Sequence, residues 1–105
     1  MERQFEYRFE WDPGKALRNA RAHGVSFERA STVFLDPRAL SVFDAEHSEN
    51  EERWVTLGLD RAGVLLVVCH AFRAKKESAR DTSAKVRLIS ARRADRRETA
   101  QYGKT

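Results

Sequence analysis

At 105 residues with a single cysteine, the chain is long enough to bury about 60–70% of its unfolded surface as one domain, without disulfides or a structural metal. The longest apolar run, Val64 to Cys69, is far too short for a bilayer span, and the first six residues contain no apolar signal segment. A soluble protein of the reducing cytoplasm with no membrane contact is therefore the expectation.

The formal charge is only +4, but it is unevenly placed. Residues 73–97 carry ten Lys or Arg against three acids, and residues 44–52 carry five acids and no Lys or Arg. A basic stretch of this kind attracts polyanions, nucleic acid first among them.

In chain order, Phe5, Tyr7, Phe9 and Trp11 alternate with Glu6, Arg8 and Glu10, which reads as a half-buried strand with an aromatic inner face. Asp12-Pro13 then starts a helix, with Asp as N-cap and Pro where no N–H is needed. Ala16, Leu17 and Ala20 form its expected inner stripe, Lys15, Asn19 and His23 lie on a neighbouring one, and Gly24 ends it. Ser26 caps a second helix with Phe27, Ala30, Val33 and Phe34 on its core face, stopped by Asp36-Pro37. Residues 39–44 are a second strand, followed by an acidic connection containing His47.

The most informative stretch is Arg53 to His70. Two apolar runs flank Asp60-Arg61-Ala62-Gly63, which has the chemistry of a four-residue turn with Gly63 at positive φ. The second run is apolar at nearly every position, as befits the central strand of a sheet. In the first, Val55, Leu57 and Leu59 share one face and Trp54 and Thr56 the other. Residues 73–85 lack periodicity and read as a mobile loop. Val86 to Ala91 is the last strand, and Asp95-Arg96-Arg97-Glu98 is a capping box opening a short helix to about Tyr102. The fold class is therefore α+β: a mostly antiparallel sheet in the order β-α-α-β-β-β-β-α, with two N-terminal helices on one face and the other face partly open.

Metal-ligand spacing, phosphate loops and serine-nucleophile motifs are all missing from the chain, so neither a metal nor a cofactor is expected. Acid–base chemistry on RNA remains. It needs a group to deprotonate the 2′-OH, cations for the phosphorane and a group to protonate the leaving oxygen. The residues of the right type are His23, His47, Glu51, Glu52, Arg53, His70, Arg73 and Arg92, with Trp54 able to stack on a base.

The motifs Phe9-Glu10-Trp11-Asp12-Pro13, His23-Gly24-Val25-Ser26-Phe27-Glu28, Asp44-x-x-His47-Ser48-Glu49-x-Glu51-Glu52-Arg53-Trp54 and Arg87-x-Ile89-Ser90-Ala91-Arg92 lie in order along nearly the whole chain. In this it resembles the BrnT toxins of type II toxin–antitoxin pairs. The resemblance implies a RelE-like fold and RNA cleavage that arrests translation. It also implies a cognate BrnA-like antitoxin with a ribbon-helix-helix part, through which alone the pair reaches operator DNA. Where the family often reads Thr-Glu-Arg after the central strand, this chain has Ala71-Phe72-Arg73.

The expected site is metal-independent. Arg53, Arg73 and Arg92 stabilise phosphate, His23 or His70 (with Glu52 as a third candidate) transfer protons, and Lys15, Trp54, Arg93, Arg96 and Arg97 hold RNA. The alternative is a non-enzymatic RNA- or protein-binding module, such as an inactivated toxin.

Overall fold

The structure, a computed structural model, describes residues 6–73 and 83–104. Its elements are β1 (Glu6–Glu10), α1 (Pro13–His23), α2 (Phe27–Ser31), β2 (Leu40–Phe43), β3 (Arg53–Leu59), β4 (Leu65–Arg73), β5 (Ser83–Arg93) and α3 (Arg96–Tyr102). Two 3-10 turns, Thr32–Leu35 and Ala45–His47, complete the order. The strands form one sheet in the order β1-β5-β4-β3-β2, so β4 lies at its centre. Every pairing is antiparallel except β1 with β5. Among the described residues, no helix is long and apolar enough to cross a membrane.

The caps behave as their residue types dictate. The Asp12 carboxylate accepts from Lys15 N at 2.9 Å, and Gly24 closes α1 in the left-handed region at φ 68°. At α3 the Asp95 side chain accepts from Glu98 N, and Glu98 returns the bond to Asp95 N. Asp60 N bonds to Val64 O, and Gly63 takes φ 80°, closing the expected turn.

The core lies between the helices and one sheet face. Val25, Phe27, Ala30 and Val33 pack on Leu66, Val68, Val86, Leu88 and Ala91, all at most 1% exposed. Gly58 sits mid-strand under this layer because a Cβ there would lie 2.8 Å from Val33 Cγ1. On the opposite face Leu57 and Val67 are also buried, while α3 packs against β3 and its Tyr102 hydroxyl donates to Asp36 at 2.7 Å.

Three expectations need correction. The single helix after Ser26 is a short α-helix that tightens into a 3-10 turn. Ser31 and Thr32 hydroxyls there donate back to Glu28 O and Arg29 O, competing with regular helix bonding. The strands flanking the expected 73–85 loop extend into it: Arg73 pairs with Lys85 in the β4–β5 ladder, whose backbone bonding needs no apolar pattern. The remainder of that stretch, residues 74–82, lies outside the described residues.

The inner stripe of α1 also differs. Leu17 is 62% exposed and Ala20 is exposed, whereas Asn19 is buried. The reason is hydrogen bonding: β1 pairs with β5 only as far as Arg87, and beyond it the Asn19 amide serves the free edge of β5.

Candidate active site

β-sheet alternation divides the residues expected to act together. Arg53 on β3, Ala71 on β4 and Arg87 on β5 stand opposite one another on the sheet face away from α2. Glu51, just before β3, bridges the two guanidinium groups: Arg53 Nε donates to Glu51 Oε1 at 3.2 Å, and Arg87 Nη2 donates to the same oxygen. Ala71, with its short side chain, leaves the space between them open to the carboxylate. Partial burial would raise the Glu51 pKa, but hydrogen bonding from Arg53 and the charges of Arg87 and Arg53 outweigh it and hold the carboxyl below its usual range. Two register steps further along, the backbone of Arg73 pairs with that of Lys85.

His47 joins this cluster. A cavity of about 260 Å³ is lined by His47, Glu49, Glu51 and Arg53, among others. His47 Nδ1 lies 2.9 Å from Asp44 Oδ2 while its side chain stays 62% exposed, so the carboxylate orients the ring and leaves Nε2 to solvent. The short turn holding it is fixed by Ser48, whose hydroxyl donates to Asp44 O and accepts from Arg53 N at 3.1 Å. A carboxylate, an oriented imidazole and two guanidinium groups thus converge at one open edge.

Trp54 and His70 pair with each other on the opposite face, the one covered by the helices. His70 is 3% exposed, and its Nε2 lies 2.8 Å from Thr56 Oγ1, which in turn lies 2.8 Å from Ser41 Oγ. Burial pushes the His70 pKa down to about 4, so the ring is neutral at pH 7. Phe34 meets it edge-on, with centroids 4.8 Å apart. Tyr7, Phe34, Trp54 and Phe72 wall a second cavity of about 260 Å³ here, and Ser41, Glu52 and His70 supply its polar lining. Phe72, in the Ala71-Phe72-Arg73 stretch, therefore serves an aromatic wall.

The remaining expected residues lie elsewhere. Lys15 and His23 line a groove with Arg18, Asn19 and Ile89. Arg92 lies five residues from Arg87 along β5, roughly 16 Å at about 3.3 Å per residue. Both its terminal nitrogens are committed to Glu98, at 2.8 Å each. That pairing carries Glu98 down to about 2. Arg93, Arg96 and Arg97 are exposed around the start of α3. Arg87 was not singled out from sequence, although its alternation with Lys85 on a strand carries the signal. Thr56 and Ser41 carried none, because a hydroxyl in a strand is ordinary until its partner is known.

A profile of the ribonuclease toxin BrnT of type II toxin–antitoxin systems matches residues 11–98. The chain belongs to this family. RNA as target and an antitoxin as partner follow from that membership. Among solved structures, the chain is similar to the Brucella abortus ribonuclease toxin BrnT, determined at 1.1 Å. The TM-score is 0.55 and the identity 18%, over 82% of this chain and 94% of that one. At that identity the likeness is one of fold. No curated protein matches the sequence.

Proposed function

We propose that this BrnT-family chain is a single RelE-like toxin domain that acts as a metal-independent endoribonuclease in the cytoplasm. It cleaves RNA and thereby inhibits translation. A BrnA-like ribbon-helix-helix antitoxin neutralises it, and operator DNA is reached only through that complex. The observation that carries the reading is the bridge from Arg53 through Glu51 to Arg87 beside His47.

The chemistry follows from the groups. Arg53 and Arg87 take the non-bridging oxygens of the scissile phosphate and neutralise the extra charge of the phosphorane. Glu51 holds the two guanidinium groups at a fixed spacing. His47, oriented by Asp44, presents Nε2 to accept the 2′-OH proton and to return a proton to the leaving 5′-oxygen. Arg73 extends the cationic surface, and Lys15, Arg93, Arg96 and Arg97 contact the flanking RNA backbone. His70 is nearly buried on the opposite face of the sheet from the Arg53–Glu51–Arg87 bridge, so proton transfer falls to His47, and Arg92 acts by holding α3.

The test is induced expression in bacteria with and without the neighbouring antitoxin gene, together with incubation of purified protein and RNA in EDTA. Growth arrest relieved by the neighbour, with cleavage that survives EDTA, is the expected result. RNA binding without cleavage would return the non-enzymatic binding module.

A further inference from the structure

The aromatic cavity on the helix-covered face has no part in the phosphate chemistry just described. It is walled by Tyr7, Phe34, Trp54 and Phe72, a surface on which a planar ring stacks. Its polar groups are few and specific. The Glu52 backbone carbonyl accepts from Phe72 N at 3.3 Å, whereas its carboxylate has no hydrogen-bond or ion-pair partner among the described residues and, when ionised, only accepts hydrogen bonds. His70 Nδ1 is the one buried side-chain polar atom among the described residues that lacks a partner. Ser41 also lines the cavity, and its Oγ is linked through Thr56 Oγ1 to His70 Nε2.

We infer that this cavity binds a guanine base of the RNA, stacked on Trp54 with its Watson–Crick edge against the Glu52 carboxylate. Guanine offers two adjacent donors, N1–H and the exocyclic N2 amine, to the two oxygens of a carboxylate. Adenine and cytosine set an acceptor beside their single donor group, and uracil sets two beside its one. The arrangement also fits the backbone. Glu52, Arg53 and Trp54 are consecutive at the start of a strand, so alternation places the phosphate-binding Arg53 on one face and the base pocket on the other. The inference rests on the ribonuclease reading for its source of guanine, but it has a readout that needs no cleavage.

The experiment titrates the purified chain with each of the four ribonucleoside monophosphates and follows tryptophan fluorescence. Trp54→Phe is the control for the second indole, Trp11, which is partly buried against the core. Guanosine monophosphate is expected to quench Trp54 at concentrations about tenfold or more below those needed for the other three, and Glu52→Gln to remove that preference. In parallel, a short RNA with its preferred guanosine replaced by inosine, which lacks the N2 amine, is expected to be cut about tenfold more slowly. Equal quenching by all four nucleotides, or none by any, overturns the guanine pocket even if RNA is cleaved. Guanine-selective quenching without any RNA cleavage upholds the pocket and overturns the ribonuclease reading instead.

Discussion

Asn19 on α1 hydrogen-bonds both backbone groups of Ala91 on β5, accepting from its N–H at 3.0 Å and donating to its C=O at 2.9 Å. The same Nδ2 also donates to Val25 O at 3.0 Å. One amide thus takes the place of a neighbouring strand beyond the end of β1 and ties the helix layer to the sheet. Asn19→Ala leaves buried backbone groups of Ala91 and Val25 without partners and is expected to cost about 2–4 kcal/mol, read by urea or thermal unfolding. Asn19→Asp removes both donors and sets a negative charge against two carbonyls, so it should cost at least as much. A loss below about 0.5 kcal/mol for either would show that water replaces the amide without penalty.

That contact also marks where sequence reading stops. The caps at Asp12, Ser26 and Asp95 and the turn at Asp60–Gly63 are local, so the residues that make them lie within a few positions and the pattern is legible. Asn19 and Ala91 are distant in the chain, and nothing near Asn19 reveals that β1 ends before covering β5. The candidate site divides in the same way. Arg53 and Trp54 were legible as residue types and as opposite faces of one strand. Glu51 joining Arg53 to Arg87 required the register of three strands, and the burial of His70 required Phe34 to arrive from another element.

His70 gives a pH dependence with a definite sign. Its folded pKa, about 4, lies below the ordinary value of 6.5, so between those values the unfolded chain binds a proton that the folded chain does not. Stability is therefore full above about pH 6.5 and falls as pH drops toward 4, by about 3 kcal/mol in all. Denaturation midpoints measured from pH 7 to pH 4 should show this decline beyond what carboxylates contribute. His70→Gln should remove that component while lowering stability at pH 7. A slope unchanged by the substitution would mean that another group titrates.

Asp60 is the hub of the β3–β4 turn. Its Oδ1 accepts from Ala62 N at 2.8 Å and Val64 N at 2.9 Å, and its Oδ2 accepts from Arg29 Nη2 at 2.8 Å and Nε at 3.1 Å. The carboxylate is fully buried, whereas Arg29 is 36% exposed. Removing the two partners therefore has unequal effects. Asp60→Ala strips the turn of its acceptors and leaves Arg29 unpaired, an expected loss of about 3 kcal/mol. Arg29→Ala leaves a carboxylate still held by two backbone N–H groups and should cost only about 1–2 kcal/mol. Equal losses for the two variants would show that the ion pair, rather than the turn, carries the energy.

The proposed phosphate clamp makes the sharpest kinetic prediction, because Arg53 and Arg87 reach the same carboxylate from different strands. Arg53→Ala and Arg87→Ala should each lower the single-turnover RNA cleavage rate by about 10²–10³, the scale of losing one charged stabiliser of a transition state. Because both residues act on one phosphate, the double variant should fall well short of the product of the two losses. Neither side chain is deeply buried, so unfolding midpoints should move by less than about 1 kcal/mol. Glu51→Gln separates support from chemistry. It keeps the shape but removes the charge that spaces the guanidinium groups, so it should raise KM more than it lowers kcat. If Arg53→Ala and Arg87→Ala cleave RNA at the original rate, the phosphate lies elsewhere on the molecule. The groove of Lys15 and His23 is then the place to look, since it also contains Arg18.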